Sequence, residues 1–572
     1  MTRGGLTSRV LLAGLGGALA SLAFPLVVPQ VSLAPVDPAG HLEWLAWVGL
    51  SPAFVALEAA AGSLEALALG VVAGLAAFYV AIYWVSHAMT AFGGLPLWLA
   101  LLGLTLLVLY MAVHWGLAFW GSFVVRRRLG LPLWTHLPVI WVATEFLRNH
   151  LFTGFPWADL GYTQARHPVV AQLASLFGVY AIAGLVVLVN ALAAAWWRAL
   201  RSRTRRPWAG TAAAAGLLAA ALAYGAAHLA WVREEMLRAP RLRVGLVQAN
   251  VSQSVKNEGR RYGDLIVGRL WPLTVEADRA GAVLVAWPEA AWPWAVSPDL
   301  ESFAGEGPGV GPLSRAQVLL GAATLRWLPM AAGGRAPQVE NSAFLLAPDL
   351  RVLDRYVKFH LVPFGEYVPL RDWLPFLRQV VPDVAPASPG GRLEPMELDL
   401  PGAPGEDARA RFGPLICFDA IFPEIARVLV RRGAQFLVNP TNDAWYGYSS
   451  GPHQFLAIVQ MRAVETARAV ARPAYSGVTA IVLPTGEVAP GALGVGPVDP
   501  ALAPDPDEPP RLLVGDLPLL RGRTLYTTFG DLFAWACAAG GGALLLAALL
   551  RPRGRHRLGR TDPQWPRPPP IA

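Results

Sequence analysis

Long, almost uncharged apolar runs fill the first part of the chain, and they limit it to folds that can bury such runs in lipid. A helix needs about 20 apolar residues to cross the hydrocarbon core of a bilayer. Seven stretches approach that length before residue 233: Val10 to Val28, Trp44 to Ala61, Ala66 to Ser86, Leu95 to Val125, Leu131 to Phe146, Val170 to Trp197 and Trp208 to Val232. With another from Tyr526 to Leu550, the expected architecture contains a membrane α-helical bundle of about eight transmembrane helices. Arg3 and Arg9 ahead of the first run could open a cleaved signal peptide, but the chain goes on crossing, so a retained helix is expected. Thr135, His136, Thr144 and Glu145 make the fifth run the weakest. Buried polar groups such as His114 and Glu145 are too scattered to outline a transport path and fit interhelical hydrogen bonding.

Composition agrees, with 15% of residues charged and 54% hydrophobic. The net charge of +8 comes largely from short blocks beside apolar runs, at Arg126 to Arg128, Arg198 to Arg206 and Arg551 to Arg560. No recognition motif accompanies them, so they read as topology signals and nucleic-acid binding is not expected. A cytoplasmic N-terminus followed by about eight crossings puts all three blocks in the cytoplasm and the Glu234 to Leu520 region outside. The expected division is a bundle over 1–233, an extracytoplasmic catalytic domain over 234–522, a C-terminal transmembrane helix over 523–551 and a basic, Pro-rich cytoplasmic tail over 552–572. Cys417 and Cys537 are the two cysteines, too few for a disulfide framework and without metal-ligand spacing. His360 and His453 belong to no Cys/His cluster, so neither a metal nor another cofactor is expected.

From Arg241 short strand-like runs alternate with amphipathic helical patterns, which predicts an α/β layered domain. Strands are expected at Leu242 to Gln248, Ala282 to Ala286, Val318 to Ala322, Ser342 to Leu346, Pro414 to Cys417, Phe436 to Val438 and Val478 to Leu483. Helices are expected at Asp264 to Ala280, Phe422 to Arg432 and His453 to Ala471.

Three reactive side chains stand at the ends of such runs. Cys417 closes Pro414-Leu415-Ile416 and is followed by a helical stretch opening at Phe422-Pro423-Glu424. That order, strand then tight turn then helix, lifts a nucleophile to a sheet edge beside backbone N–H groups. Glu289 follows Val283 to Ala286 in Trp287-Pro288-Glu289, where desolvation is expected to raise its pKa toward that of a general base. Lys358 follows Val352 to Val357, and a cation beside a cysteine is expected to favour its thiolate and to hold an oxyanion. Cys537, inside an apolar run, reads as a small buried hydrophobe. Gly447-Tyr448-Ser449-Ser450-Gly451 has the spacing of a serine-hydrolase elbow, but no apolar strand runs into it.

Taken together, Glu289 in WPE, Lys358 in YVKFHLVPFGEYVPL and Cys417 in ICFDAIFPE resemble the Glu-Lys-Cys triad of the carbon-nitrogen hydrolase, or nitrilase, superfamily. The Lys358 segment, Val247 to Asn250 with Gln253, Thr441 to Gly447 and Arg462 to Thr466 narrow the resemblance to the apolipoprotein N-acyltransferase family. The resemblance implies an extracytoplasmic nitrilase-type αββα sandwich on the bundle. It also implies an enzyme of the bacterial cytoplasmic (inner) membrane, expected to act as a monomer. Its partners would be a phospholipid acyl donor and a diacylglyceryl apolipoprotein acceptor, with the acyl group carried as a thioester on Cys417. Glu289, Lys358 and Cys417 are then catalytic, and Glu366, Phe418 and Asp419 support them; where the family pattern places Tyr and Glu after the nucleophile, this chain has Phe418 and Asp419. Trp292, Trp294, Trp373, Phe376, Trp445 and Tyr446 are candidates for an apolar lid that shields the site and admits acyl chains, with core packing as the alternative. A membrane-anchored amidase or nitrilase, in which water resolves the thioester, is the competing function.

Overall fold

The structure is a computed structural model that describes residues 3–27, 42–91, 93–251, 253–329, 335–369, 387–400, 408–494 and 509–551. Trp373, Phe376 and the tail after Arg551 lie outside these residues. Among the described residues, 5 helices are long and apolar enough to cross a membrane: Ser63–Ala81, Leu97–Leu129, Val179–Ser202, Trp208–Arg238 and Leu532–Leu550. Helices Arg3–Ser21 and Leu133–Arg148 pack among them. Large apolar side chains such as Trp98, Leu106 and Trp535 stay exposed on the outer faces, as lipid-facing positions do. Small residues let the helices approach closely: a Cβ on Gly17 would stand 1.9 Å from the Ala73 carbonyl oxygen, and one on Gly74 would stand 2.7 Å from Ala112 Cα.

Several expected spans are not continuous helices: Ala66 to Ser86 breaks between Ala81 and Trp84, and Tyr526 to Leu550 breaks at Gly530. Over Trp44 to Ala61 the chain makes a 3-10 turn, Glu43–Trp47, and then the 8-residue helix Ser51–Glu58. Pro52 explains the break, because its ring nitrogen has no hydrogen to donate to a preceding turn, and it sits instead in the first turn of the new helix. Over Val170 to Trp197 the long helix begins only at Val179, after Gly178 at φ 69°, where any Cβ would meet the Tyr526 ring at 2.7 Å.

The basic blocks converge at one end of the bundle. Arg9 pairs with Glu65, Arg198 Nε lies 3.1 Å from Glu58 Oε2, Arg126 donates to the Glu58 carbonyl at 2.8 Å, and Arg551 donates to the Arg128 carbonyl at 2.6 Å. The catalytic domain docks on the other end. Val27 N–H donates to Ser450 Oγ at 2.8 Å, and Gln454 carries four hydrogen bonds across the junction. The G-x-S-x-G segment is thus an anchor, with Ser449 Oγ accepting from Gly451 N–H.

Strands β1 Arg241–Gln248, β2 Leu284–Ala286, β3 Trp292–Val296, β4 Gln317–Pro329, β5 Arg335–Leu346 and β6 Val352–Val357 share a 7-stranded sheet with the strand Arg511–Pro518. Strands β7 Met396–Asp399, β8 Arg409–Pro414, β9 Phe436–Val438, β10 Val470–Arg472 and β11 Ala480–Val482 form a 5-stranded sheet, and Arg511–Pro518 is β12. The two-residue period of a strand sorts the side chains. Leu284, Ala286 and Leu319 share one core with Phe412 and Phe436 of the other sheet, whereas Val285, Val318 and Leu320 pack with Ile266, Leu270 and Trp271 of helix Gly259–Arg279. Helices Pro423–Arg431 and Gly451–Thr466 cover the second sheet, giving the αββα order. The last helix was expected to run to Ala471. It stops at Thr466, because Ala467 turns left-handed at φ 49° and the chain re-enters the sheet as β10.

Candidate active site

The ends of β2 and β8, which have parallel neighbours, and of the antiparallel edge strand β6 bring the three side chains together. Glu289 lies just past β2, and its turn is closed by Ala290 at φ 44°. Lys358 follows β6 directly, with its N–H bonded to the Asn341 carbonyl at 2.8 Å and its own carbonyl accepting from Gly390. Cys417 stands beyond β8 at φ 46°, at the start of a 3-10 turn that leads to helix Pro423–Arg431. A non-glycine residue held in the left-handed region is strained, and here the strained position is Cys417.

These side chains meet in one buried cluster. Lys358 Nζ lies 2.9 Å from Glu289 Oε1 and 2.9 Å from Glu366 Oε2. The Asn341 amide donates to Glu289 Oε1 at 2.8 Å and to Glu366 Oε1 at 3.0 Å, and Glu366 Oε2 accepts from Val362 N–H. Glu289, the Thr441 hydroxyl and the Asn442 backbone N–H face the Cys417 thiol. Lys358 is 1% exposed, and Glu289 and Cys417 are each 6% exposed, so their charges interact with little water between them.

That environment corrects both expectations about protonation. Burial pushes Glu289 upward, but Lys358 and then Lys256 outweigh it and hold the carboxyl below its ordinary value. Burial, reinforced by the Glu289 carboxylate, pushes the Cys417 thiol up to about 12 against the pull of Lys358. Burial opposes the charge of Lys358, yet Glu289, Glu366 and Cys417 raise it well above a free lysine. The resting state is therefore a neutral thiol beside an ionised carboxylate and a charged ammonium.

Asp419 binds the Cys417 turn to the lysine segment. Its carboxylate accepts from Ile416 N–H at 3.2 Å, His360 N–H at 2.7 Å and Phe359 N–H at 3.4 Å. Phe418 packs against His360, Phe422 and Phe155, the last from the loop after helix Leu133–Arg148, so the bundle reaches the residue next to Cys417. The site thus lies on the bundle side of the domain.

The lid candidates separate. Trp292 is a core residue, 3% exposed against Phe303 and Trp287, and Trp294 packs on its edge. Tyr446 is wedged into the junction against Trp84 and Trp157, and Trp445 is half-buried beside it. The quoted motif segments frame the site: Asn442 donates to Gln253 at 2.7 Å, Arg472 grips Asp443, and Arg462 pairs with Glu465. Lys256, on the short helix Gln253–Asn257, is a site residue that sequence reasoning missed: Nζ donates to the Glu289 carbonyl at 3.0 Å. Its sole sequence signal is its place one helical turn after Gln253.

A membrane-associated enzyme carrying a carbon-nitrogen hydrolase domain is the class that this fold and cluster define, and residues 243–495 match the family model "Carbon-nitrogen hydrolase". Residues 16–192 match the "Apolipoprotein N-acyltransferase N-terminal domain". Proteins named apolipoprotein N-acyltransferase from Geobacter metallireducens, Gloeobacter violaceus and Methylococcus capsulatus are 33%, 34% and 31% identical to this chain. These alignments cover 96%, 90% and 97% of this chain and 96%, 91% and 99% of the respective relatives. The chain belongs to the apolipoprotein N-acyltransferase family and is an acyltransferase of lipoprotein maturation.

Proposed function

We propose that the chain moves a fatty acyl group from phospholipid, through a thioester on Cys417, to the α-amino group of the S-diacylglyceryl N-terminal cysteine of an apolipoprotein. The observation that carries this reading is the Glu289–Lys358–Cys417 cluster, buried at the domain edge that faces the bundle. In the first step Glu289 takes the thiol proton as sulfur attacks the ester carbonyl. Lys358 and the backbone N–H at Phe418 hold the oxyanion. Collapse expels the lysophospholipid alkoxide, which takes the proton back from Glu289. In the second step the amine attacks the thioester, Glu289 removes the amine proton, and the sulfur leaves and is reprotonated. Glu366 keeps Lys358 charged and aimed.

Membrane embedding follows from the donor, since drawing an acyl chain into water costs about 0.8 kcal/mol per CH₂. Trp445 and Tyr446, at the junction, are the described lid candidates that best shield the chain. We place the protein in the bacterial cytoplasmic membrane with the catalytic domain outside. The reading is supported by the convergence of Arg126, Arg128, Arg198 and Arg551 at the bundle end away from that domain. The segment through Glu43–Trp47 and Ser51–Glu58 then makes the second of about eight crossings.

The test supplies purified enzyme, phospholipid and a diacylglyceryl peptide. The expected product is N-acylated peptide. Free fatty acid with unmodified peptide would establish the hydrolase instead.

A further inference from the structure

We propose that Lys256 is a positioning residue for this reaction, a second fixed cation that keeps the Glu289–Cys417 pair poised to exchange its proton. Three observations place it. Its ammonium donates to the Glu289 carbonyl at 3.0 Å, so it fixes the main chain of the base itself. It lies 4.5 Å from the centroid of the Tyr475 ring, and Tyr475 is fully buried, so the ring is a rigid platform beneath the cation. Its helix is tied through Gln253 to Asn442, whose backbone N–H contacts the nucleophile.

The charged and titratable groups facing Lys256 are Glu289, Cys417 and Lys358, with the Tyr475 ring below; Arg269 lies beyond Tyr475 and donates to the Ala249 and Asn250 carbonyls. Burial, against the attraction of Glu289 and Cys417, lowers Lys256 to about 8. Its charge is therefore present at neutral pH and fades above that value. Lys358 is held by two carboxylates and remains charged throughout, so Lys256 is the cation of the pair that pH can switch off.

The sign follows from electrostatics. A cation here favours the ionised forms of both Glu289 and Cys417, so removing it raises both, and the higher thiol pKa leaves less thiolate to attack. The inference rests on Cys417 as nucleophile and Glu289 as base, and its test has one arm that does not require acyl transfer. Full-length wild type, Lys256→Gln and Lys256→Arg are compared across pH in two assays: alkylation of Cys417 by iodoacetamide, read by peptide mass, and acyl-enzyme formation from phosphatidylethanolamine micelles. Gln retains a donor for the Glu289 carbonyl but not the charge, and Arg retains both.

Lys256→Gln is expected to slow both reactions about tenfold at neutral pH and to move their rise upward by about one pH unit, with Lys256→Arg close to wild type. Wild-type curves for Lys256→Gln, or equal loss in both variants without a shift, would overturn the proposal. Tyr475→Leu leaves the lysine in place and removes its platform, and it should shift the curves in the same direction by a smaller amount; no shift would equally overturn it. Normal alkylation curves with no acyl adduct on wild type would count against the acyl-transfer reading and leave the Lys256 inference standing.

Discussion

Glu289, Lys358 and Glu366 share a volume almost closed to water, so each charge depends on the others. Deleting one partner of a buried ion pair leaves the rest uncompensated, at roughly 3–5 kcal/mol. Lys358→Met is therefore expected to lower thermal stability as well as activity, and Glu289→Gln, which keeps the shape and leaves Glu366 to balance Lys358, to lower stability less while removing the proposed base. For Glu289→Gln a single-turnover assay should show acylation slowed about 10²–10⁴-fold in a protein that melts above Lys358→Met. The pH dependence has a definite sign. Glu289 is held below its ordinary 4.5, so it stays ionised as pH falls through the usual carboxylate range. Acylation should lose its base only below that value, and an acid limb at pH 6 to 7, about where a raised catalytic Glu titrates, would contradict this assignment.

At the scale of elements, the positions of Glu289 and Lys358 just past β2 and β6 follow the expected runs, whereas the strand expected at Pro414 to Cys417 is found at Arg409–Pro414, with Cys417 in the turn beyond it. Glu366 was reached through family resemblance alone. Asn341, which joins the two carboxylates, was not legible, since it sits inside β5 and nothing local distinguishes it from a strand-edge amide. Phe155 and Lys256 were missed for the same physical reason: their partners are set by long-range packing, and no periodic run leads to them. Trp292 beside Glu289 looked like a lid residue, but alternation along β3 turns it into the core. Gln454 shows how one side chain joins elements, accepting from Trp84 and Trp157 and donating to the Pro25 and Ala81 carbonyls. Gln454→Leu strands four buried polar groups, and at about 1–3 kcal/mol for each unsatisfied group it should lower the melting temperature in detergent markedly. An unchanged melting curve would show that the junction contributes little to stability.

For the whole molecule, the bundle supplies both anchorage and a wall of the site, and its basic end is opposite the catalytic domain. A Cys417→Ala, Cys537→Ala background permits single-cysteine labelling in intact cells. A cysteine at Ser297 should react with a membrane-impermeant maleimide, and one at Ser202 should react only after lysis; the reverse pattern would invert the topology. The central claim is that a buried, neutral thiol becomes the acyl carrier once lipid reaches it. The most direct measurement is intact mass spectrometry of the purified protein after incubation with phospholipid and no acceptor. The account predicts a mass increase of one fatty acyl group, mapped to Cys417 and absent in Cys417→Ala; an unmodified wild type, or an adduct that persists in Cys417→Ala, would contradict it.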